Sequence, residues 1–288
     1  GEELEKRVSS IIDNENIMLD KNCKIIWKEN VIAKLKKGNN YLNPEVEILA
    51  DDALNDLSKL KLESFLKKWV DTYIREVLSD LLNLNKESVD NKYIRALMFQ
   101  LFENNGVIKR ELVDEIVKSI KTEERKKIWS LGIKIGRYHI YLPKMLKPKA
   151  VSLRISLWKL FYQLAINHEI PRSGLNYLID RKYNKNFLLL CGFEKFKNHY
   201  VRIDILEKLF IKILNKTKKR MFKIDSEMMN LIGCNKEGFY SLMLSMNYKK
   251  GKEADTYLFT GDIKRKNKLM NYEKSENPFK KLLALNLK

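Results

Sequence analysis

Between residues 54 and 81, apolar side chains return every three or four positions: Leu54, Leu57, Leu62, Phe65, Leu66, Trp69, Tyr73, Val77 and Leu81. That spacing paints one broad stripe on a helix, and the stripe must be covered by something else. The surrounding stretch, "NPEVEILADDALNDLSKLKLESFLKKWVDTYIREVLSDLLNL", therefore reads as mostly helix, with Asp51 and Asp52 suited to its start. "VDNKYIRALMFQLFENNGVI" is a second helix, stopped near Asn104-Asn105-Gly106 by a C-terminal cap. "KRELVDEIVKSI" and "TEERKKIWSLG" add two short ones. Residues 2–20 read as a short helix and linker.

Two stretches break this helical rhythm. "CKIIWKENVIAKLKKG" alternates about Glu29-Asn30 as a hairpin with a tight turn does. "LGIKIGRYHIYLP" alternates about Gly136-Arg137, where a leading Gly suits a type II′ turn. Pro143 ends its second strand, and Pro148 occupies a first helical turn, which tolerates a missing N–H. The helix that follows carries Leu153, Ile155, Leu157, Leu160, Phe161 and Leu164 on its apolar face. Lys144, Lys147 and Lys149 sit at this junction with no acid close by in sequence. A helix N-terminus offers free N–H groups and a positive dipole end, so the junction is suited to a phosphate, with Arg154 on the first turns as a bidentate contact.

Charge is divided unevenly along the chain. The net charge is +19. Residues 1–133 hold 23 Lys+Arg against 24 Asp+Glu, while residues 134–222 hold 20 against 5, a net of +15. Residues 223–288 hold 13 against 8. A concentrated field of one sign is the expected footprint of a polyanion partner. Candidate contacts are Arg137, Lys144, Lys147, Lys149, Arg154, Arg181, Lys182, Lys185, Lys195, Lys197 and the Lys218, Lys219, Arg220 strip. Tyr138, Tyr141 and Trp158 lie among them, and aromatics interleaved with basic residues can stack single-stranded bases.

Beyond residue 223, "DSEMMNLIGC" reads as a short helix capped by Asp225 or Ser226, and "KEGFYSLMLSMN" as a second. "YKKGKEADTYLF" then supplies two strands around Gly251. Helix, turn, helix and hairpin in that order is the pattern of a winged helix. Lys236 is the only basic residue early in its second helix, which suits backbone contact better than base reading.

Several long stretches carry a resemblance. "GIKIGRYHIYLPKMLKPKAVSLRISLWKL" resembles "GVRFGxxHIYLPALLKP…LLWAL", "VIAKLKKGNNYLNPEVEILADDAL" resembles "PVARLxxGxDPLxPRVELLADExL", and "CGFEKFKNHYVRIDILEKL" resembles "VGFRxxGxxxVRVDILERL". "IRALMFQLFENNGVIKRELV" and "LIGCNKEGFYSLMLSMNYK" continue the match in order, so it spans residues 23–250. The pattern is that of the region after the motor in alphaproteobacterial DExH superfamily-two helicases related to the mitochondrial degradosome RNA helicase. The motor itself is missing: the sequence has no GxxxxGK[ST] loop, DExH box or QxxGRxGR stretch. The resemblance implies ATP and Mg for a parent helicase and no cofactor in this chain.

Other chemistry finds no support in the residues. His139, His168 and His199 belong to unrelated patterns, with His139 read as structural rather than catalytic, and no metal-ligand cluster is visible. Cys23, Cys191 and Cys234 are odd in number and far apart, as buried thiols of a reducing compartment are. The expected class is mainly α with small β-hairpins (α+β): helix and linker over 1–22, hairpin plus helical platform over 23–133, a basic hairpin-helix region over 134–222, a winged-helix-like unit over 223–263 and a basic tail over 264–288. The expected location is cytoplasmic, with no membrane contact, and the expected partners are single-stranded RNA or DNA, helicase motor domains and a nuclease. The expected function is a nucleic-acid-binding accessory region that guides a strand beside a motor. The alternatives are a protein-docking module that braces the motor or recruits a nuclease, and a free-standing winged-helix regulator.

Overall fold

A computed structural model describes residues 2–13, 16–49, 54–163, 168–179 and 183–259, without the side chains of Lys185 and Asn186. Among these the chain is α+β, with small antiparallel sheets set between helices. It opens with α1 (Glu2–Ile12) and a four-stranded meander, β1 (Ile17–Leu19), β2 (Lys24–Trp27), β3 (Asn30–Asn40) and β4 (Asn43–Ile48). The first hairpin forms as expected, one residue earlier: its turn is Lys28-Glu29, both at positive φ.

The stretch 43–48 departs from the helical reading. It is a strand because Val46 and Ile48 alternate with Glu45 and Glu47, a period of two hidden against the longer helical run. Pro44 is tolerated since β4 is an edge. The long helix α2 (Asp56–Val77) starts later than Asp51 and Asp52, which lie outside the described residues, and its cap is Asn55, whose side chain accepts from the Ser58 N–H at 2.7 Å. Helix α3 (Ser79–Lys86) follows after a break at Leu78. The buried stripe of α2 is Leu62, Leu66, Val70 and Ile74, so the sequence spacing located the right helix and half of its core face.

From residue 92 onward the chain repeats one connection. Helix α4 (Lys92–Glu103) leads to β5 (Val107–Lys109), α5 (Arg110–Lys118), α6 (Arg125–Ser130), β6 (Lys134–Ile135) and β7 (His139–Tyr141), with sheet order β5-β7-β6. After a 3-10 turn over Pro143–Leu146, α7 (Pro148–Tyr162) leads to β8 (Tyr177–Ile179), α8 (Lys185–Leu190), β9 (Phe193–Phe196) and β10 (His199–Arg202), with order β8-β10-β9. Next α9 (Ile203–Lys216) leads to β11 (Met221–Lys223), α10 (Ser226–Ile232), α11 (Lys236–Ser245), β12 (Lys249–Lys250) and β13 (Thr256–Leu258), with order β11-β13-β12. In each sheet the last strand pairs between the first and the second. A leading helix, an early strand and a closing hairpin thus recur three times, with the first two closing strands running on towards the next leading helix.

Three large apolar cores follow this division, and Val107, Tyr141 and Ile203 form a small fourth. The first joins the meander and α1–α6 to one face of α7, the second gathers Ile155, Trp158, Phe187 and Tyr200, and the third runs from Val201 to Tyr257. The third core takes in α9 and β11 as well as the expected helix-helix-hairpin residues. Asn105 and Gly106 both stand at positive φ, so α4 stops where its capping residues placed the end. Among the described residues no helix is long and apolar enough to cross a membrane.

Candidate nucleic-acid interface

Buried polar groups lock the three repeats together. The carboxylate of Glu207, on α9, accepts the backbone N–H groups of Arg137, Tyr138 and His139 at 2.6, 2.8 and 3.1 Å. It sits so close beneath Gly136 that a Cβ there would come within 2.3 Å of the carboxyl carbon. This explains Gly136 and corrects the type II′ reading, because its φ is not positive. A second lock joins His139 Nε2 to Glu194 Oε2 at 2.6 Å, with Lys109 Nζ on Glu194 Oε1 at 3.0 Å. A third is His199, wholly buried, between the Tyr177 hydroxyl at 2.6 Å and Ser241 Oγ at 2.9 Å.

Burial pushes the Glu194 carboxyl upward, but the hydrogen bond and charge of His139 and the charge of Lys109 outweigh it and hold the group at about 2. A depressed carboxylate stabilises the fold above its ordinary value near 4.5 and loses that contribution as pH falls towards 2. Acid unfolding followed by circular dichroism should therefore steepen between about pH 4.5 and 2, and Glu194→Gln should flatten that limb.

Arg154 belongs to the interior, and its expected place at a phosphate is corrected. It is 2% exposed, and its guanidinium donates to the carbonyls of Asn105 at 2.6 Å, Met145 at 2.5 Å and Leu190 at 3.3 Å. Position 154 falls on the side of α7 where three chain segments turn their carbonyls inward, and a guanidinium fork is the side chain that reaches them all. Burial draws it down only to about 10, so it stays charged at neutral pH.

The junction lysines are divided in the same way. Lys144, read as unpaired, holds Asp80 of α3 at 2.8 Å. Lys149 lies over the Tyr73 ring at 4.9 Å, and Lys147 is exposed with no acidic partner among the described residues. Arg181 and Lys182 lie outside the described residues, as does the Lys185 side chain and the tail from 264 onward.

Most of the remaining candidates meet along one aromatic line. Tyr138 stands edge-on to Phe196 at 6.3 Å and to Phe210 at 6.0 Å, and Phe210 tilts against Phe259 at 6.1 Å. All four rings are half-buried. The Arg137 guanidinium lies 5.7 Å from the Phe210 ring centre, and Lys195 and Lys197 flank Phe196 on the β9–β10 hairpin. At the far end, the Arg220 carbonyl accepts the Phe259 N–H at 2.8 Å. Lys219 and Arg220, both at positive φ, form a tight turn between Lys218 and Met221 that leaves all three basic side chains exposed. Tyr141 and Trp158, the other aromatics singled out from sequence, are buried in the cores.

The rings that matter were thus partly missed. Phe210 shares α9 with Leu206, Leu209 and Ile213, which are fully buried, and its position beside that stripe was the available signal. The three cysteines are packed thiols: burial pushes Cys23 and Cys191 up to about 12 and the half-buried Cys234 up to about 11. A cavity of about 440 Å³ is lined by Tyr41, Phe102, Trp158, Tyr162, Glu103 and several asparagines, none of them basic. Among the described residues no group of three His, Cys, Asp or Glu is placed to hold a metal. No protein-family profile, curated protein or solved structure matches the chain.

Proposed function

We propose that this chain binds single-stranded nucleic acid through the basic and aromatic band running from Phe196 past Tyr138 and Phe210 to Phe259. The observation that carries the reading is the fate of the acids. Of the five Asp and Glu residues in 134–222, Glu194 and Glu207 are buried as internal locks and Asp204 is bonded to Arg202. With those acids withdrawn, the surface of that region stays strongly positive even though Arg154 is buried and Lys144, Lys212 and Lys216 pair with acids outside it. Lys197, Lys218, Lys219 and Arg220 are exposed with no acidic partner among the described residues. Half-buried rings between cations offer base stacking without sequence preference, and the cations match phosphates spaced along a strand.

The first and third repeated units, each with two helices before a closing hairpin, support a winged-helix reading, while the second has a single helix in that place. Lys236 in α11 is engaged by Asp255 at 3.0 Å, which favours backbone contact over sequence reading there. The resemblance to post-motor helicase regions supplies the wider role: an accessory surface that grips a strand beside a motor, with ATP and Mg belonging to the motor. The test is binding of single-stranded RNA, single-stranded DNA and duplex by fluorescence anisotropy at several salt concentrations. Single strands should bind with a log–log salt slope of about −3 to −4, from about 0.7 for each of four to six phosphates engaged. Binding that ignores salt, or none at low salt, rejects the reading and leaves protein docking in its place.

A further inference from the structure

We infer a second strand contact on α6, in the part of the chain that the charge distribution leaves neutral: Trp129 stacks a base while Lys126 and Lys127 hold the neighbouring phosphates. The inference rests on the single-strand reading above and extends it to a surface that reading does not include.

The repeated connection makes the proposal. In a helix-turn-helix pair the second helix is the one presented to nucleic acid. In the first repeat that helix is α6, "RKKIWS", and in the third it is α11. In α11 the only cation, Lys236, is taken by Asp255. In the second repeat the helix before the hairpin, α8, ends in Leu188, Leu189 and Leu190, which pack into the cores. Among the described residues of these three helices, α6 alone combines an open aromatic ring with a run of cations.

Trp129 is 66% exposed, whereas Trp27 and Trp158 are 5% and 2% exposed. Its helix neighbour Ile128 is fully buried and anchors α6, so the ring projects from a fixed base. Of the two acids just before α6, Glu123 is exposed and pairs with neither lysine, and Glu124 is held by other groups. Glu124 accepts the Lys121 N–H at 3.0 Å and the Asn91 amide at 2.6 Å. Glu87 stands 3.6 Å from Lys127, a loose exposed pair that a phosphate can replace. Lys126 is exposed and has no acidic partner among the described residues.

The same edge carries one of the junction lysines. Asp80 holds Lys144 and also stands against Gly132, three residues beyond Trp129, where a Cβ would come within 3.0 Å of its Oδ2. Lys144 therefore borders α6 in space, although 15 positions separate it from Trp129 in sequence. An exposed indole on a short helix that also carries Lys126 and Lys127 matches a polyanion with flat rings, which is a single strand.

The test uses the whole chain with fluorescein-labelled single-stranded oligonucleotides and a duplex of the same sequence. Trp129→Ala should weaken single-strand binding between about fivefold and a hundredfold while leaving the salt slope unchanged, because a stacked base carries no counterion release. Trp129→Phe should recover most of the affinity. Lys126→Ala with Lys127→Ala should lower the slope magnitude by about 1.4, at about 0.7 per phosphate. The ring is exposed, so the melting temperature of every variant should match the parent. If the parent binds and Trp129→Ala binds equally well with the same slope, this inference is overturned and the earlier reading stands. Equal losses on single strand and duplex also overturn it, since a paired base cannot stack on a protruding indole. If the parent binds neither at low salt, the earlier reading fails and carries this one with it.

Discussion

Arg154→Met should cost about 3–5 kcal/mol of folding stability and leave nucleic-acid binding by the folded fraction unchanged. The side chain fits the volume but has no donors, so the carbonyls of Asn105, Met145 and Leu190 lose their shared partner inside the protein. A buried acceptor left unmade costs about 1–3 kcal/mol, and three act here together. Arg154→Lys should fall between, because an ammonium is a compact charge that cannot span three carbonyls from separate segments. Urea denaturation measures the first effect, and anisotropy at a temperature where the variant remains folded measures the second. A variant as stable as the parent, with a reduced salt slope, would return Arg154 to the surface and contradict the burial described.

That residue also marks where reading the sequence reaches its limit. Lys147, Lys149 and Arg154 follow one another on a short stretch, and nothing local distinguishes them. One faces solvent, one crosses the Tyr73 ring, and one is buried. The difference comes from carbonyls at positions 105, 145 and 190, brought together only by the tertiary fold. The same holds for Lys144, whose partner Asp80 lies 64 positions away.

Local patterns were legible where the physics is local. Alternation located both early hairpins, and the Asn105-Gly106 pair located a helix end, because left-handed backbone selects residue types directly. The strand at 43–48 was lost because six alternating residues were read as part of a helical run of far greater length. The threefold repeat was not visible for a related reason. Its strands are two to four residues long, too short for alternation to register, and its identity lies in pairing order. Charge located the basic region, while the burial of Glu194 and Glu207, which sharpens it, depends on contacts with distant backbone and side chains.

The largest expected effect on binding comes from the cations at the two ends of the aromatic band. Changing Lys197, Lys218, Lys219 and Arg220 together to Ala should weaken single-strand binding on the order of a hundredfold at low salt and flatten the salt slope by about 2 to 3, at about 0.7 per phosphate lost. The loss should be the same for unrelated sequences, because phosphate contacts position a strand without reading it. The four side chains are exposed and unpaired with acids among the described residues, so the variant should fold with the parent's stability to within about a kcal/mol. The backbone of the turn is a separate matter. Lys219 and Arg220 stand at φ of 48° and 62°, where Ala is less comfortable than Gly or Asn. With Lys197 and Lys218 again changed to Ala, an Asn-Gly pair at 219 and 220 removes the same four charges while suiting that geometry, and it should weaken binding as the alanines do. If the alanine variant loses binding and the Asn-Gly variant keeps it, the turn acts through its shape and its cations are incidental. If both lose the same affinity and the same slope, the charges at the ends of the band hold the strand.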